Sequence, residues 1–371
     1  MAIRQHKVRG ILLLWTFILG GVWSIHFCNI TISTVRIRLM SISATTAPTT
    51  TTKANHTNNT QSQTTQVIPK DKRDFRFILE PWKVKLRVCD EDPCVKAKEI
   101  QWRMVIFVKS AFVNFFRREL LRRTWASLSY VDRGRFDTVF VIAGVPNRKR
   151  YNLLKEEHSR YGDILYFDES DDYNYVSLKT LAGMRWAASN LQANEFYASA
   201  DDDFMIKMDL FAENINHHIN QVNELGWPEF PIICGFKLGV AETPNRKGKW
   251  TVTKDNYRWD FYPPYCHGGL YATSVHLVQQ LYNESLSDPL FSLDDVWITG
   301  IIRRRLGMPD EMLIKPKPYF GQHLNNYAKV EKSSNIRDFM RKEWVELYQQ
   351  LSDNDICRYQ ANINITNVNL T

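Results

Sequence analysis

The stretch Glu195–Ile206, EFYASADDDFMI, is the most informative in this chain, because a short aromatic and small-residue run ends abruptly in Asp201, Asp202 and Asp203. Glu195 to Ala200 reads as a buried strand that stops where the charge begins. Three adjacent carboxylates repel one another unless a cation neutralises them. A hard divalent ion such as Mn²⁺ or Mg²⁺ takes oxygen ligands, typically one or two carboxylates together with the phosphates of a substrate. The plain alternative is a solvated acidic turn, and its surroundings decide between the two.

Upstream of that run, from Trp102, strand and helix patterns alternate as they do in α/β folds. WRMVIFVKS (102–110) is a hydrophobic strand, followed by a helical pattern through Phe115, Leu120, Leu121 and Trp125. FDTVFVIAG (136–144) is a second strand, stopped by Gly144 and Pro146. A charged helix containing Leu153 and Leu154 leads to a third strand, DILYF (163–167), and helical spacing returns from Tyr175 to Asn190. The alternation predicts a Rossmann-like, mostly parallel sheet that binds a nucleotide. Ligands of such sheets sit beyond the carboxyl ends of the strands, which is where Asp201 to Asp203 fall. From about Cys234 the chain is irregular and rich in aromatic residues, Pro and Gly, and internal repeats are absent.

The 371 residues are 44% hydrophobic and 13% aromatic, so a sizeable core is expected. A net charge of +8 suggests a nucleic-acid binder until its location is examined. Residues 1–70 hold seven of the 48 Lys and Arg and no Asp or Glu, which leaves 41 basic against 40 acidic residues in the body. A nearly neutral body is no phosphate-binding face, and nucleic acid is excluded as a partner.

The N-terminal segment ILLLWTFILGGVWSIHF, Ile11 to Phe27, is uncharged, with Arg4, Lys7 and Arg9 before it and Arg36 as the next charge after it. The positive-inside rule then makes 1–10 a cytosolic tail, 11–30 a transmembrane signal anchor, and sends the rest across the membrane. A cleaved signal peptide is the competing reading, but no clean small-x-small site follows the apolar core. Residues 31–75 form a stem whose Thr- and Ser-rich part, 41–66, lacks the apolar side chains to order itself. Residues 76–371 are the lumenal domain. Asn55, Asn58 and Asn364 begin N-x-Thr sequons and Asn283 an N-x-Ser sequon, as a lumenal body would carry. Of six cysteines, Cys28 lies at the membrane edge, leaving Cys89, Cys94, Cys234, Cys266 and Cys357 for disulfides. Five is odd, so one is free or joins two chains in a homodimer, and the connectivity is not readable from sequence.

Six separated motifs fall in one order: RRELLRRTW (117–125), VFVIAG (139–144), YGDILYFDESDDYNYVSLKT (161–180), ASADDDF (199–204), FYPPYCHGGLY (261–271) and SLDDVWITG (292–300). Over residues 100–307 this series resembles the β-1,3-galactosyltransferase and β-1,3-N-acetylglucosaminyltransferase family, glycosyltransferase family 31. The resemblance implies a GT-A fold, a single-pass type II Golgi membrane protein, Mn²⁺ as cofactor, and inverting transfer from a UDP-sugar to a glycan of a glycoprotein or glycolipid.

Carried over residue by residue, the family's basic-Thr-Trp motif lands on Arg118, Arg122, Thr124 and Trp125. Arginines on the first helix would grip the donor's phosphates bidentately; the alternative pairs Arg122 with an acid and puts Trp125 in the core. Asp171, Asp172, Tyr173 and Lys179 match the acidic-aromatic-then-LKT segment of the donor site, with Lys179 neutralising phosphate or holding an aspartate. Asp201, Asp202 and Asp203 match the metal motif: Asp203 is the direct ligand, while Asp201 acts through water or toward the ribose and uracil. Asp294 and Asp295 match the Glu-Asp-Val motif. Asp295 is the candidate general base, its pKa held up by its neighbour, and Asp294 binds acceptor or caps the following helix. Tyr262, Tyr265 and Tyr271 offer a stacking platform for sugar or base, and Gly268 lets backbone approach ligand. The chain departs from the family's pattern at Leu270, where a second glycine is common, at His267, which replaces a small residue, and at Ser199, where many members carry Lys. The rival readings are a fringe-like transfer, and a catalytically inactive relative acting as a lumenal chaperone or glycan-binding protein. The second should have lost the metal or base carboxylates, and both sets are present.

Overall fold

The computed structural model describes residues 75–85, 100–169, 176–227, 229–315 and 317–323. The segment 11–30, the stem as far as residue 74, the sequons at Asn55, Asn58 and Asn364, Cys28, Cys89, Cys94 and Cys357, and Asp171, Asp172 and Tyr173 lie outside the described residues, whereas Phe75, expected to end the stem, is buried in the core. Among the described residues no helix is long and apolar enough to cross a membrane.

The elements run β1 (Phe77–Leu79), α1 (Trp82–Lys85), β2 (Trp102–Ala111), α2 (Phe115–Arg122), β3 (Tyr130–Val131), β4 (Gly134–Ala143), α3 (Arg148–Tyr161) and β5 (Ile164–Phe167). They continue with α4 (Val176–Asn190), β6 (Phe196–Asp201), β7 (Phe204–Ile206), α5 (Met208–Leu225), β8 (Ile232–Cys234) and β9 (Leu238–Gly239). The last are β10 (Tyr265–Cys266), β11 (Leu270–Ser274), α6 (Val275–Ser285), a π-helical turn (Val296–Ile302), α7 (Arg303–Arg305), β12 (Leu313–Ile314) and β13 (Gly321–His323).

One sheet of nine strands has the order β1-β5-β4-β2-β6-β11-β8-β12, with β3 on β4. β5, β4, β2 and β6 are parallel, as the alternating pattern predicts. The sheet is not wholly parallel: β11 runs antiparallel to both β6 and β8, while β8 and β12 return to the direction of β6. The cause is where β11 starts: Leu270 lies opposite Ala200 at the carboxyl end of β6, so the chain can only run back down. The sheet is therefore mixed.

The apolar run of β2 is buried on both faces, as parallel strands require. Val105 and Phe107 pack with Leu178, Leu181 and Met184 of α4. Met104, Ile106 and Val108 pack on the other side with Leu121, Trp125, Phe211 and Ile215. Each such side chain contributes about 1.5–3 kcal/mol of burial. Local chemistry sets the helix ends: the Asn147 side chain accepts the Arg150 amide at 3.0 Å to start α3, and Gly162, at φ +67°, ends it. Ser274 Oγ accepts the Leu277 amide at 3.0 Å to start α6. A disulfide joins Cys234, at the end of β8, to Cys266 in β10 across 32 positions of chain.

Candidate active site

The parallel strands are laid out to both sides of β2, with β4 on one side and β6 on the other. The crevice opposite such a reversal, at the carboxyl ends of the strands, is the ligand site of open α/β sheets. Here Lys109 of β2 stands in register with Asp201 of β6. Successive strand residues face opposite sides, and this alternation separates the aspartates. Asp201 takes the α4 side, where its carboxylate lies 3.1 Å from Lys109 Nζ. Asp202 takes the other side, where Ser110 Oγ (2.8 Å), Asn114 Nδ2 (2.8 Å) and Arg117 Nη1 (3.0 Å) all donate to it. Asp202 thus ties the acidic turn to the start of α2.

Asp294 and Asp295 meet this crevice from the far side of the chain. Lys109 Nζ donates to Asp294 at 2.8 Å, and the Thr180 hydroxyl donates to the same carboxylate oxygen. Asp295 accepts backbone amides from Gly268 at 2.7 Å and Val296 at 2.8 Å. The amide at the head of the helical turn therefore belongs to Asp295, not to Asp294. Burial and the Asp294 charge push Asp295 up to about 7, against the pull of its two amides. Burial works the same way on Asp294, but Lys109 and Thr180 overcome it and hold that carboxyl low. Lys109 itself stays raised despite burial, through Asp201 and Asp294. Two neighbouring carboxylates are thereby driven apart in proton affinity, the pattern by which acid–base roles are assigned.

Gly268 and Gly269 hold the two halves of the site together. A methyl group on Gly268 would lie 3.3 Å from Asp295 Oδ2 and 3.9 Å from Asp201 Oδ2, so both carboxylates border one small space. Gly269 adopts φ +116° and accepts the Asp201 amide at 3.0 Å; a Cβ there would sit 2.5 Å from the Phe204 ring.

Asp203 faces His323 of β13, with Nδ1 3.5 Å from its Oδ1, while His323 Nε2 lies 2.9 Å from the Gly268 carbonyl. β13 reaches this point by pairing antiparallel with β7, His323 opposite Phe204. Burial raises Asp203 and lowers His323, but their contact outweighs it and sends each the other way, favouring a charged pair. Asp201, Asp203 and His323 offer ligand atoms all within 4.8 Å of one another. Two carboxylate oxygens and one imidazole on a partly open surface are a donor set for a divalent cation: the carboxylates suit Mn²⁺, and the imidazole suits other transition metals as well.

Other expected residues go elsewhere. Arg118 forms a buried bidentate pair with Glu157, 2.7 Å for each bond, and donates to the Ala111 carbonyl at 2.8 Å. Arg122 pairs with Asp163 and Glu157 and lies over the rings of Tyr161 and Phe140. Both arginines clamp α2 to α3, the structural alternative for that motif, and Trp125 is core with its indole N–H on the Phe204 carbonyl. Lys179 is buried and donates to the Ser110 carbonyl at 2.9 Å, which fixes the strand that carries Lys109. Tyr262 and Tyr265 are buried, and Tyr265 donates to Glu242 at 2.6 Å, so neither is an open stacking surface. Tyr271 is buried in β11 opposite Ser199. Asn283 is exposed near the end of α6.

Lys109, Arg117, Glu242 and His323 escaped the sequence reading. A lone cation near the carboxyl end of an otherwise apolar strand was a usable signal for Lys109. His323 gave none, since only the pairing of β13 brings it to the aspartates.

A family model described as galactosyltransferase matches residues 116–313. Over 210 residues the chain is 31% identical to beta-1,3-galactosyltransferase brn of Drosophila melanogaster, an alignment spanning 56% of this chain and 61% of that protein. It is 28% identical over 252 residues to human beta-1,3-galactosyltransferase 5, spanning 66% of this chain and 78% of the human one. Among solved structures, the galactosyltransferase LgtC crystallised with donor and acceptor sugar analogues overlays with a TM-score of 0.34 at 11% identity, covering 67% of this chain and 96% of that one.

Proposed function

The chain belongs to the galactosyltransferase family, and on that premise we propose that it is an inverting β-1,3-glycosyltransferase. It moves galactose or an N-acetylhexosamine from a UDP-sugar to a hydroxyl of a glycan carried on a glycoprotein or glycolipid. One observation supports this reading most: the carboxylates of Asp295 and Asp201 border the same space beside Gly268. A proton acceptor beside the acidic turn is what transfer from a nucleotide-sugar docked there would need.

In the proposed reaction Asp295 takes the proton of the attacking hydroxyl as the bond to the sugar forms. Its raised proton affinity suits a base working near neutrality, and the Gly268 and Val296 amides fix its orientation. Lys109 holds Asp201 and Asp294 in place; it keeps Asp294 low, whereas burial leaves Asp201 raised despite it. Asp201, Asp203 and His323 would hold Mn²⁺, which when bound stabilises the negative charge of the departing UDP. The segment 11–30 would anchor the protein in the Golgi membrane as a type II protein, with the GT-A domain in the lumen.

The test is UDP release by the full-length protein against a panel of UDP-sugars, with Mn²⁺ and with a chelator. Turnover of one donor that disappears with chelator and in Asp203→Ala supports the reading. A folded protein that turns over none of them, even with mixed glycan acceptors, refutes it.

A further inference from the structure

Between the disulfide partners Cys234 and Cys266 the chain makes a long excursion that the sheet does not need. It is closed upon itself. Arg246 donates to the carbonyls of Val252 at 2.8 Å, Tyr257 at 3.1 Å and Trp259 at 3.1 Å, and the Val252 amide returns to the Asn245 carbonyl at 2.8 Å. Glu242 accepts from Tyr265 at 2.6 Å and from Lys237 at 3.0 Å, and meets His267 Nε2 at 2.9 Å; it is held at about 2, burial being outweighed by these hydrogen bonds. Such a loop has a fixed shape of its own. It nevertheless turns its largest apolar side chains outward: Trp259 is 58% exposed, Phe261 57% and Trp250 50%.

Three large aromatic rings on one rigid loop mark a ligand surface more readily than a random surface does. Their position indicates which ligand. Phe261 lies two residues before Pro263, and a Cβ on Gly300, in the helical turn that Asp295 caps, would meet Pro263 Cγ at 3.2 Å and Tyr265 Cβ at 3.1 Å. The loop that carries the rings thus ends against the turn that carries Asp295. A pyranose has hydroxylated edges and an apolar C–H face, and an aromatic ring takes the second while water and polar neighbours take the first. Arg258 over Trp259 at 4.4 Å supplies such a polar neighbour.

We propose that Trp259 and Phe261 are an acceptor platform that stacks the sugar units behind the reacting hydroxyl, so that oligosaccharides are preferred over single sugars. The proposal rests on the glycosyltransferase reading and extends it to a surface outside the carboxylate cluster.

The experiment uses the full-length protein, the UDP-sugar it turns over, and as acceptors methyl β-galactoside and a methyl tetrasaccharide of alternating β-linked galactose and N-acetylglucosamine. In Trp259→Ala and Phe261→Ala the KM for the tetrasaccharide should rise tenfold or more. The donor KM, and UDP release without acceptor, should change less than threefold, and the advantage of tetrasaccharide over monosaccharide should collapse. Trp259→Phe should keep most of that advantage. Intrinsic fluorescence titrated with the tetrasaccharide should saturate in the parent and stay flat in Trp259→Ala. Unchanged acceptor KM in both alanine variants overturns the proposal. So does binding of phosphatidylcholine–phosphatidylserine vesicles that these substitutions abolish while leaving acceptor KM alone, which would make the loop a membrane contact. If no UDP-sugar is turned over, the reaction assignment fails, and the fluorescence titration still decides the platform.

Discussion

Asp295→Asn is the substitution whose effects on stability and on catalysis the geometry separates. The side chain keeps its shape, so one of the Gly268 and Val296 amides still finds an oxygen, but the other meets an NH₂ group. A buried donor left without a partner costs about 1–3 kcal/mol. Against this stands the charge. Asp295 has its folded-state pKa raised to about 7 by burial and by Asp294, so its ionisation opposes folding. Stability from the protonated group is complete below the unfolded value near 4 and drains away as pH rises to about 7. Three units at 1.36 kcal/mol each make the loss at about pH 8 on the order of 4 kcal/mol at most. Asparagine cannot ionise and escapes that loss. The variant should therefore melt a few degrees below the parent near pH 5, and level with it or above it near pH 8, at about 2–4 °C per kcal/mol for a domain of this size. Turnover should meanwhile fall by about 10²–10⁴ above pH 7, where the parent's base is ionised. The acid limb of the parent's kcat/KM, about tenfold per pH unit below 7, should be missing from the variant's residual activity. Thermal melts and UDP release across the same pH series measure both effects. A variant that keeps a tenth of the activity, or a difference in Tm that is flat with pH, would refute the assignment of Asp295.

Lys109→Met removes the cation shared by Asp201 and Asp294, and breaking a buried pair of this kind costs about 3–5 kcal/mol; urea unfolding should register the loss together with a fall in turnover. His323→Ala should weaken Mn²⁺ binding about 10–100-fold, read as the metal concentration giving half-maximal activity or as Mn²⁺ line broadening, with little change in Tm. Cys234→Ala with Cys266→Ala releases a 32-residue span and should cost about 4 kcal/mol by the chain-entropy relation, while the carboxylate cluster stays folded. Gly269→Ala places a Cβ at φ +116° against Phe204 and should give a protein that is both destabilised and inactive.

The parallel half of the sheet was legible because strands buried on both faces write themselves as apolar runs, and β2, β4, β5 and β6 do so. The second half was not. β11, LYATS, is short and small-residue rich, and β8, IIC, is three residues long. Neither carries a period long enough to separate strand from loop. The site residues divide along the same line. Asp201, Asp203, Asp294 and Asp295, which the fold brings to one crevice, stood out because carboxylates cluster in sequence. The ion pairs of Arg118 and Arg122 were not legible because their partners lie 35 to 41 positions away, Glu157 on α3 and Asp163 just before β5. Aromatic composition pointed to Tyr262 and Tyr265, but it cannot say which rings of a loop turn inward. In the structure these two are buried, while Trp259 and Phe261 face solvent.

Charge balance links the proposed base to the proposed cation site. Asp201, Asp203, Asp294 and Asp295 all converge on the Gly268–Gly269 turn and its neighbours. Lys109 answers Asp201 and Asp294, and His323 answers Asp203. Asp295 is left with backbone amides alone, which orient a carboxylate without neutralising it. The excess negative charge has two outlets: Asp295 retains a proton to higher pH, or a divalent cation enters between Asp201, Asp203 and His323. The proposed pH-tuned base and the proposed cation site are thus two consequences of one imbalance. Placing Lys109 between Asp201 and Asp294 leaves that imbalance where chemistry can use it, because a second lysine beside Asp295 would abolish the proton affinity that suits it to act as a base.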